Sequence, residues 1–263
     1  MIRNFMQYNR KLKQFLDTQY SLFNAQIYLH SHPDPLQIAH KHRDFIYFDE
    51  LCLFCALYAY GNAQMIVKNL SYMPFSCLID ADSIKDMPLD LFPYYRFQTR
   101  EDTKNCFLII ADFIKKGGIK SLFLESYTKH FDILHAINRI EKLANDFINA
   151  HKIQSYGLQF LFGNPCNMQS TRKRYNMFLR WLIRKDNLDF GLWHEVDTSH
   201  LLLPLDTHTF KISKQLGLCK TKSYNLKAVK EITHTLKSFD SKDPIKYDFA
   251  LYRIGQLGLD IVF

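Results

Sequence analysis

Glycine and proline are scarce: the 263 residues include nine Gly and eight Pro. That scarcity excludes a collagen-like or disordered chain and argues against a β-sandwich with its many turns. No run of eighteen apolar residues occurs, so no membrane span is expected. The first 22 residues are charged and amphipathic and lack the apolar core and cleavage site of a secretory signal. There is no repeat at a fixed period and no low-complexity tract. Few segments alternate apolar and polar residues with period two, which leaves an all-α fold. The six cysteines show no framework spacing. Cys52-Leu-Phe-Cys55 has CxxC spacing, but no second CxxC or CxxH follows to complete a zinc site. The pair lies in an apolar run and reads as two buried thiols on a core helix. Reduced thiols suit the cytoplasm, and neither metal nor cofactor is expected.

What the chain has is apolar mass and positive charge. It is 47% hydrophobic and 15% aromatic, enough for a large core. Its formal net charge of +8 favours a polyanionic partner. Helical periodicity dominates. Helices are expected over residues 2–29, 49–60 with Asp49 as N-cap, 63–73, 100–116, 121–127 and 131–150. Residues 74–93 read as irregular with a short helix near Ser83, and Gly117-Gly118 ends the 100–116 helix. Residues 157–169 read as a loop. Further helices are expected over 171–184, 207–216, 226–239 and 244–257, the last started by Asp243-Pro244.

Three positions can carry chemistry. Lys173 lies between Arg172 and Arg174 at a helix start. Neighbouring cations and a helix N-terminus both depress an amine's pKa, as a nucleophilic lysine needs. The alternative is a solvated or phosphate-contacting lysine. Asp206 is placed to cap the next helix, and a capping carboxylate can also stabilise a developing cation. His208 reads as structural or solvent-facing. Asp248 stands among Phe249, Ala250 and Leu251 and shares a helical face with Tyr252 and Gly255. If buried it needs a partner, either an ion pair or a bound ligand.

Leu205-Asp-Thr-His-Thr-Phe-Lys211 resembles the catalytic-aspartate segment of helix-hairpin-helix DNA glycosylases, the endonuclease III superfamily. Lys173-Arg-Tyr-Asn-Met-Phe-Leu-Arg-Trp-Leu-Ile-Arg-Lys-Asp186, Asp189-Phe-Gly-Leu-Trp193, Pro204-Leu-Asp-Thr-His208 and Asp243-Pro-Ile-Lys-Tyr-Asp-Phe-Ala-Leu251 look like a bacterial family of unassigned function in that superfamily. The archaeal 8-oxoguanine DNA glycosylases are its nearest characterised relatives. Tyr60-Gly-Asn62 and Tyr95-Arg-Phe97 are similar to the same pattern. The position of the lysine in endonuclease III itself is Leu188 here, and its Gly-x-Gly hairpin is missing. Lys173, thirty-three positions before Asp206, fits the longer separation of the archaeal enzymes. The four-cysteine iron-sulfur motif of some members is also absent.

The resemblance implies a two-lobed helix-hairpin-helix glycosylase fold with its active site in the cleft between lobes. The lobes would be residues 45–165, and 1–44 with 166–263. It implies a monomer that excises 8-oxoguanine from damaged double-stranded DNA and has β-lyase activity. Lys173 and Asp206 would be catalytic. Asp248 would accept hydrogen bonds from the purine, Tyr252, Phe178 or Met177 would form pocket walls, and Asn62 and Gln64 are further base contacts. Arg172, Arg174, Lys211 and Lys214 would hold phosphates. The alternatives are a glycosylase for an alkylated purine and a catalytically inactive DNA-binding protein on the same scaffold. A helical RNA- or protein-binding module is disfavoured because no aromatic platform for single strands is evident.

Overall fold

The structure, a computed structural model, describes residues 2–261, with side chains from residue 7 onward. Among the described residues the fold is all-α, with thirteen α-helices, a few short 3₁₀ turns and no strand beyond two isolated bridges. In chain order come α1 (Ile2–Phe23), α2 (Gln26–His30), α3 (Leu36–Lys41), α4 (Phe48–Leu57), α5 (Ala63–Ser71), α6 (Arg100–Lys115) and α7 (Ile119–His130). They are followed by α8 (Ile133–Ala150), α9 (Tyr156–Phe162), α10 (Lys173–Ile183), α11 (Thr207–Gln215), α12 (Leu226–Lys237) and α13 (Asp248–Leu257). No described helix is long and apolar enough to cross a membrane.

The chain forms two compact units. One is continuous, His32–Met168, and holds α3 to α9. The other joins Met1–Ser31 to Gln169–Phe263 and holds α1, α2 and α10 to α13. The boundaries fall at 31/32 and 168/169, where the sequence suggested 44/45 and 165/166. Residues 32–44 belong to the continuous unit because α3 packs on α4 and α5.

In the continuous unit, α4 is apolar all round and forms the centre of the core. Phe54 stacks on Tyr58 at 4.7 Å and meets Phe75 edge-on at 5.4 Å, while Phe107 lies 4.5 Å away. Cys52 and Cys55 are fully buried on this helix, and burial pushes both thiols up. The helix starts one residue before Asp49, which therefore sits in its first turn rather than capping it. Glu50 is buried and accepts the Ile119 amide at 2.9 Å, satisfying the start of α7. Thr99 and Asp102 form a capping box on α6. The expected loop at 157–169 instead opens with α9, capped by Ser155. Gly157 lies inside α9 because a Cβ there would come within 2.6 Å of both Asp102 Oδ2 and the Phe97 carbonyl. This glycine allows close approach and does not mark a loop.

The discontinuous unit is built on α10, with Trp181 and Trp193 fully buried. Residues 189–193 fold back on the end of α10. The Phe190, Leu192 and Trp193 amides donate to the Trp181 and Leu182 carbonyls at 2.6–2.9 Å, closing groups that a helix C-terminus leaves open. Gly191, at φ +61°, makes this return possible, since a Cβ would stand 2.4 Å from that of Lys185. The last helix begins at Asp248, not at Pro244. Residues 244–247 form a turn, and the Asp243 carboxylate binds Arg184 instead of capping a helix.

Candidate functional site

Three helix starts in the discontinuous unit carry the predicted chemistry. Lys173 is the first residue of α10. Arg172 turns the chain into that helix in the left-handed region, at φ 48° and ψ 35°, and is itself buried. Asp206 caps α11, its Oδ1 accepting the Thr209 amide at 2.7 Å, so the capping role is real. Asp248 is the first residue of α13 and is 4% exposed.

These starts converge. Burial pushes the Asp248 carboxyl above its ordinary value; Arg180 opposes that, the charge of Asp206 adds to it, and that of Lys173 pulls against it. Both predicted catalytic charges therefore lie within electrostatic reach of Asp248. A phenol joins the other two starts. Tyr224 donates to the Leu205 carbonyl at 2.6 Å and accepts from the Thr171 hydroxyl at 3.5 Å. Thr171 lies two residues before Lys173, and Leu205 directly precedes Asp206. Gly255 lets α13 approach α11, since a Cβ there would meet His208 Cβ at 3.0 Å and Ile212 Cγ1 at 3.1 Å.

Asp248 is also the end of a buried ionic chain. Arg180 Nη1 donates to its Oδ2 at 2.6 Å, and Arg180 Nη2 lies 3.2 Å from Asp189 Oδ1. Asp189 Oδ2 pairs with Arg184, which also binds Asp243 at 2.9 Å and Asp186 at 3.0 Å. Burial pushes Asp189 up to about 6 against the pull of both arginines. Burial works against the charge of Arg180 as well, but Asp189 and Asp248 hold its guanidinium protonated.

The remaining predicted residues are placed as follows. Phe178 is 2% exposed and meets Trp193 edge-on at 5.4 Å, so it is core and not an open pocket wall. Met177 is also buried. Burial excludes Asp248 from open solvent, and Arg180 is its ion-pair partner. Tyr252 is half-buried, with the Arg253 guanidinium 5.6 Å from its ring centre. Asn62 and Gln64 belong to the continuous unit, where Asn62 caps α5 by accepting the Met65 amide at 3.2 Å. Arg174 is half-buried, and Lys211 and His208 are exposed. Lys214 is engaged, donating to the Lys220 and Thr221 carbonyls at 3.1 and 3.3 Å. No group of three or more His, Cys, Asp or Glu among the described residues is arranged to hold a metal ion.

A family described as "Protein of unknown function (DUF2400)" matches residues 34–257. The chain belongs to that family. No curated protein and no solved structure matches it. The DUF2400 match spans all three helix starts, the ionic chain and most of the continuous unit.

Sequence reasoning missed several features within this matched span. Arg180 on α10 and Arg184 just past its end, at i and i+4, are both buried, and a cation there needs a buried acid. That signal was present in the sequence. Tyr224 carried none. The continuous unit also holds an aromatic turn that composition did not reveal. Tyr95 and Gln98 pair through both backbone bonds, at 3.0 and 2.9 Å, leaving Arg96 and Phe97 at the tip. Arg96 has φ +53° and lies over the Tyr60 and Phe97 rings at 5.7 and 5.5 Å. Phe97, Tyr94 and Tyr156 are exposed beside it.

Proposed function

We propose that this protein is a helix-hairpin-helix DNA glycosylase of two lobes that removes an oxidised purine, 8-oxoguanine, and then cleaves the strand. One observation carries the reading: Tyr224 ties the segment before Lys173 to the one before Asp206, and α13, which begins at Asp248, crosses α11 closely at Gly255, so an amine and two carboxylates stand at three neighbouring helix starts. Resemblance of the same segments to the glycosylase superfamily supports it.

In this reading the damaged base leaves the stack to be reached. The Lys173 amine attacks the sugar anomeric carbon, the bond to the base breaks, and the base departs with a proton. Asp206 Oδ1 is engaged by the Thr209 amide, while Oδ2 carries no hydrogen bond. That oxygen faces the developing cation and accepts the lysine proton. The C1′–O4′ bond then breaks, the ring oxygen leaving as the C4′ hydroxyl, and the resulting protonated Schiff base permits β-elimination of the 3′ phosphate. The ion pair with Arg180 fixes the orientation of the Asp248 carboxylate at the start of α13.

The test is borohydride trapping on duplex DNA with 8-oxoguanine opposite cytosine. Lys173→Gln should abolish the trapped complex while DNA binding persists, and normal trapping by that variant removes the nucleophile assignment. Asp206→Asn should slow single-turnover base release by about 10²-fold or more, and an unchanged rate leaves Asp206 as a cap alone. The enclosure of Asp248 by Arg180 favours a second reading, an alkylated purine recognised by stacking. A panel of lesions separates the two.

A further inference from the structure

One stretch of this chain carries exposed lysines with no acid among them. Residues 207–230 contain six lysines and no acid, against a net charge of +8 for all 263 residues. The six are Lys211 and Lys214 on α11, Lys220 and Lys222 in the connection, and Lys227 and Lys230 on α12. All but Lys214 are exposed, and none of the six forms an ion pair. Five unneutralised ammonium groups on one helix–loop–helix segment repel one another, which is a standing cost unless a polyanion neutralises them.

The connection is also held in place. The Lys214 ammonium donates to the Lys220 and Thr221 carbonyls at 3.1 and 3.3 Å. Glu231 accepts the Lys220 and Thr221 amides at 2.6 and 3.1 Å from the other side. The two flanking carboxylates, Asp206 and Glu231, are thus both engaged at backbone amides, and neither pairs with a lysine. Tyr224, 43% exposed, stands in the same connection and reaches the Leu205 carbonyl next to Asp206. The cationic segment is therefore contiguous with the three helix starts.

We propose that the α11–α12 segment, through Lys211, Lys220, Lys222, Lys227 and Lys230, is a binding surface for the phosphodiester backbone of duplex DNA, beside the site rather than in it. The choice of DNA over other polyanions rests on the reading above, but the charge argument does not depend on its chemistry. An anionic bilayer fits less well, because the exposed positions of α12 are Lys227, Lys230, His234 and Lys237 with no apolar side chain to insert.

The experiment measures binding of the full chain to an undamaged duplex across a salt series. The patch variant is Lys220→Gln, Lys222→Gln, Lys227→Gln. The control, Lys68→Gln, Lys85→Gln, Lys142→Gln, removes the same charge from exposed positions in the continuous unit. Far-UV circular dichroism checks that both fold. The patch variant should bind about tenfold or more weakly at moderate salt, and its log–log salt slope should be shallower by about 2–3. The control should change little, and the corresponding triple Lys→Arg variant should retain wild-type binding. Equal losses from patch and control variants overturn the inference, leaving only a global charge effect. Unchanged DNA binding with lost binding to 7:3 phosphatidylcholine:phosphatidylserine vesicles also overturns it, in favour of a membrane surface. Borohydride trapping separates this inference from the glycosylase reading. If trapping fails while the slope change holds, the surface stands without the enzyme. If trapping by the patch variant at saturating DNA is normal and its binding is unchanged, the enzyme stands without the surface.

Discussion

Glu231 shows how much of this structure depends on single charged groups. Hydrogen bonds from the Thr221 hydroxyl and the Lys220 amide pull its carboxyl down to about 2. An acid with a depressed folded-state pKa stabilises the fold above its unfolded value, and that contribution disappears as pH falls through the folded value. Its stabilisation should therefore be complete above about pH 5 and vanish toward pH 2. Glu231→Gln should lower stability by roughly 1 kcal/mol at pH 7, a modest figure because solvent screens a half-exposed group. Urea unfolding at pH 3, 5 and 7 checks this, and the gap between variant and wild type should narrow at pH 3. Asp248 is legible to a different degree. Its need for a partner follows from its apolar neighbours, but Arg180, sixty-eight positions earlier, is brought to it only by folding.

Among elements, the approach of α13 to α11 positions Asp248 relative to Asp206. Gly255 sits at that crossing, and Gly255→Ala would place a methyl 3.0 Å from His208 Cβ. Neither neighbour is the far end of a flexible side chain, so the helices must separate. The expected cost is about 1–3 kcal/mol, with a lowered Tm. On the glycosylase reading, base release should slow as well, because Asp248 rides on the displaced helix. A variant with wild-type Tm and rate would show the crossing to be soft. The sequence marked Gly255 as sharing a face with Asp248 but could not say what that face meets. Helix ends followed the same pattern. The cap read at Asp206 placed the start of α11, and Thr99 and Asn225 cap α6 and α12 in the same way, each bonding to an amide three residues on. Asp243 and Asp49 have the same composition cues and do not cap. In the case of Asp243, Arg184 across the fold competes for the carboxylate.

At the scale of the whole molecule, two cores coexist in one chain, and both tryptophans lie in the discontinuous unit. Tryptophan fluorescence therefore reports on that unit alone, whereas circular dichroism reports on both. Phe178→Ala removes the ring that meets Trp193 edge-on and should destabilise the discontinuous unit by about 3–5 kcal/mol. The fluorescence midpoint in urea should fall accordingly. A fluorescence midpoint that does not move would mean Phe178 is not part of that core. Aromatic content of 15% forecast a large core but not its division between units. The exposed turn at Arg96–Phe97 was likewise invisible, since its rings come from residues 60, 97, 156 and 160.

The sequence by itself determined the helical class, most helix positions, the cap at Asp206, and the concentration of lysine in residues 207–230. These depend on interactions within a few residues, on composition, or on counting charge. Tertiary structure decided the rest. It joined residues 1–31 to 169–263, buried Phe178 and Asp248, linked five side chains from Asp248 to Asp243 into one ionic chain, and brought the helix starts at Lys173, Asp206 and Asp248 together. Burial and long-range pairing depend on which helix faces meet, and no local periodicity encodes that.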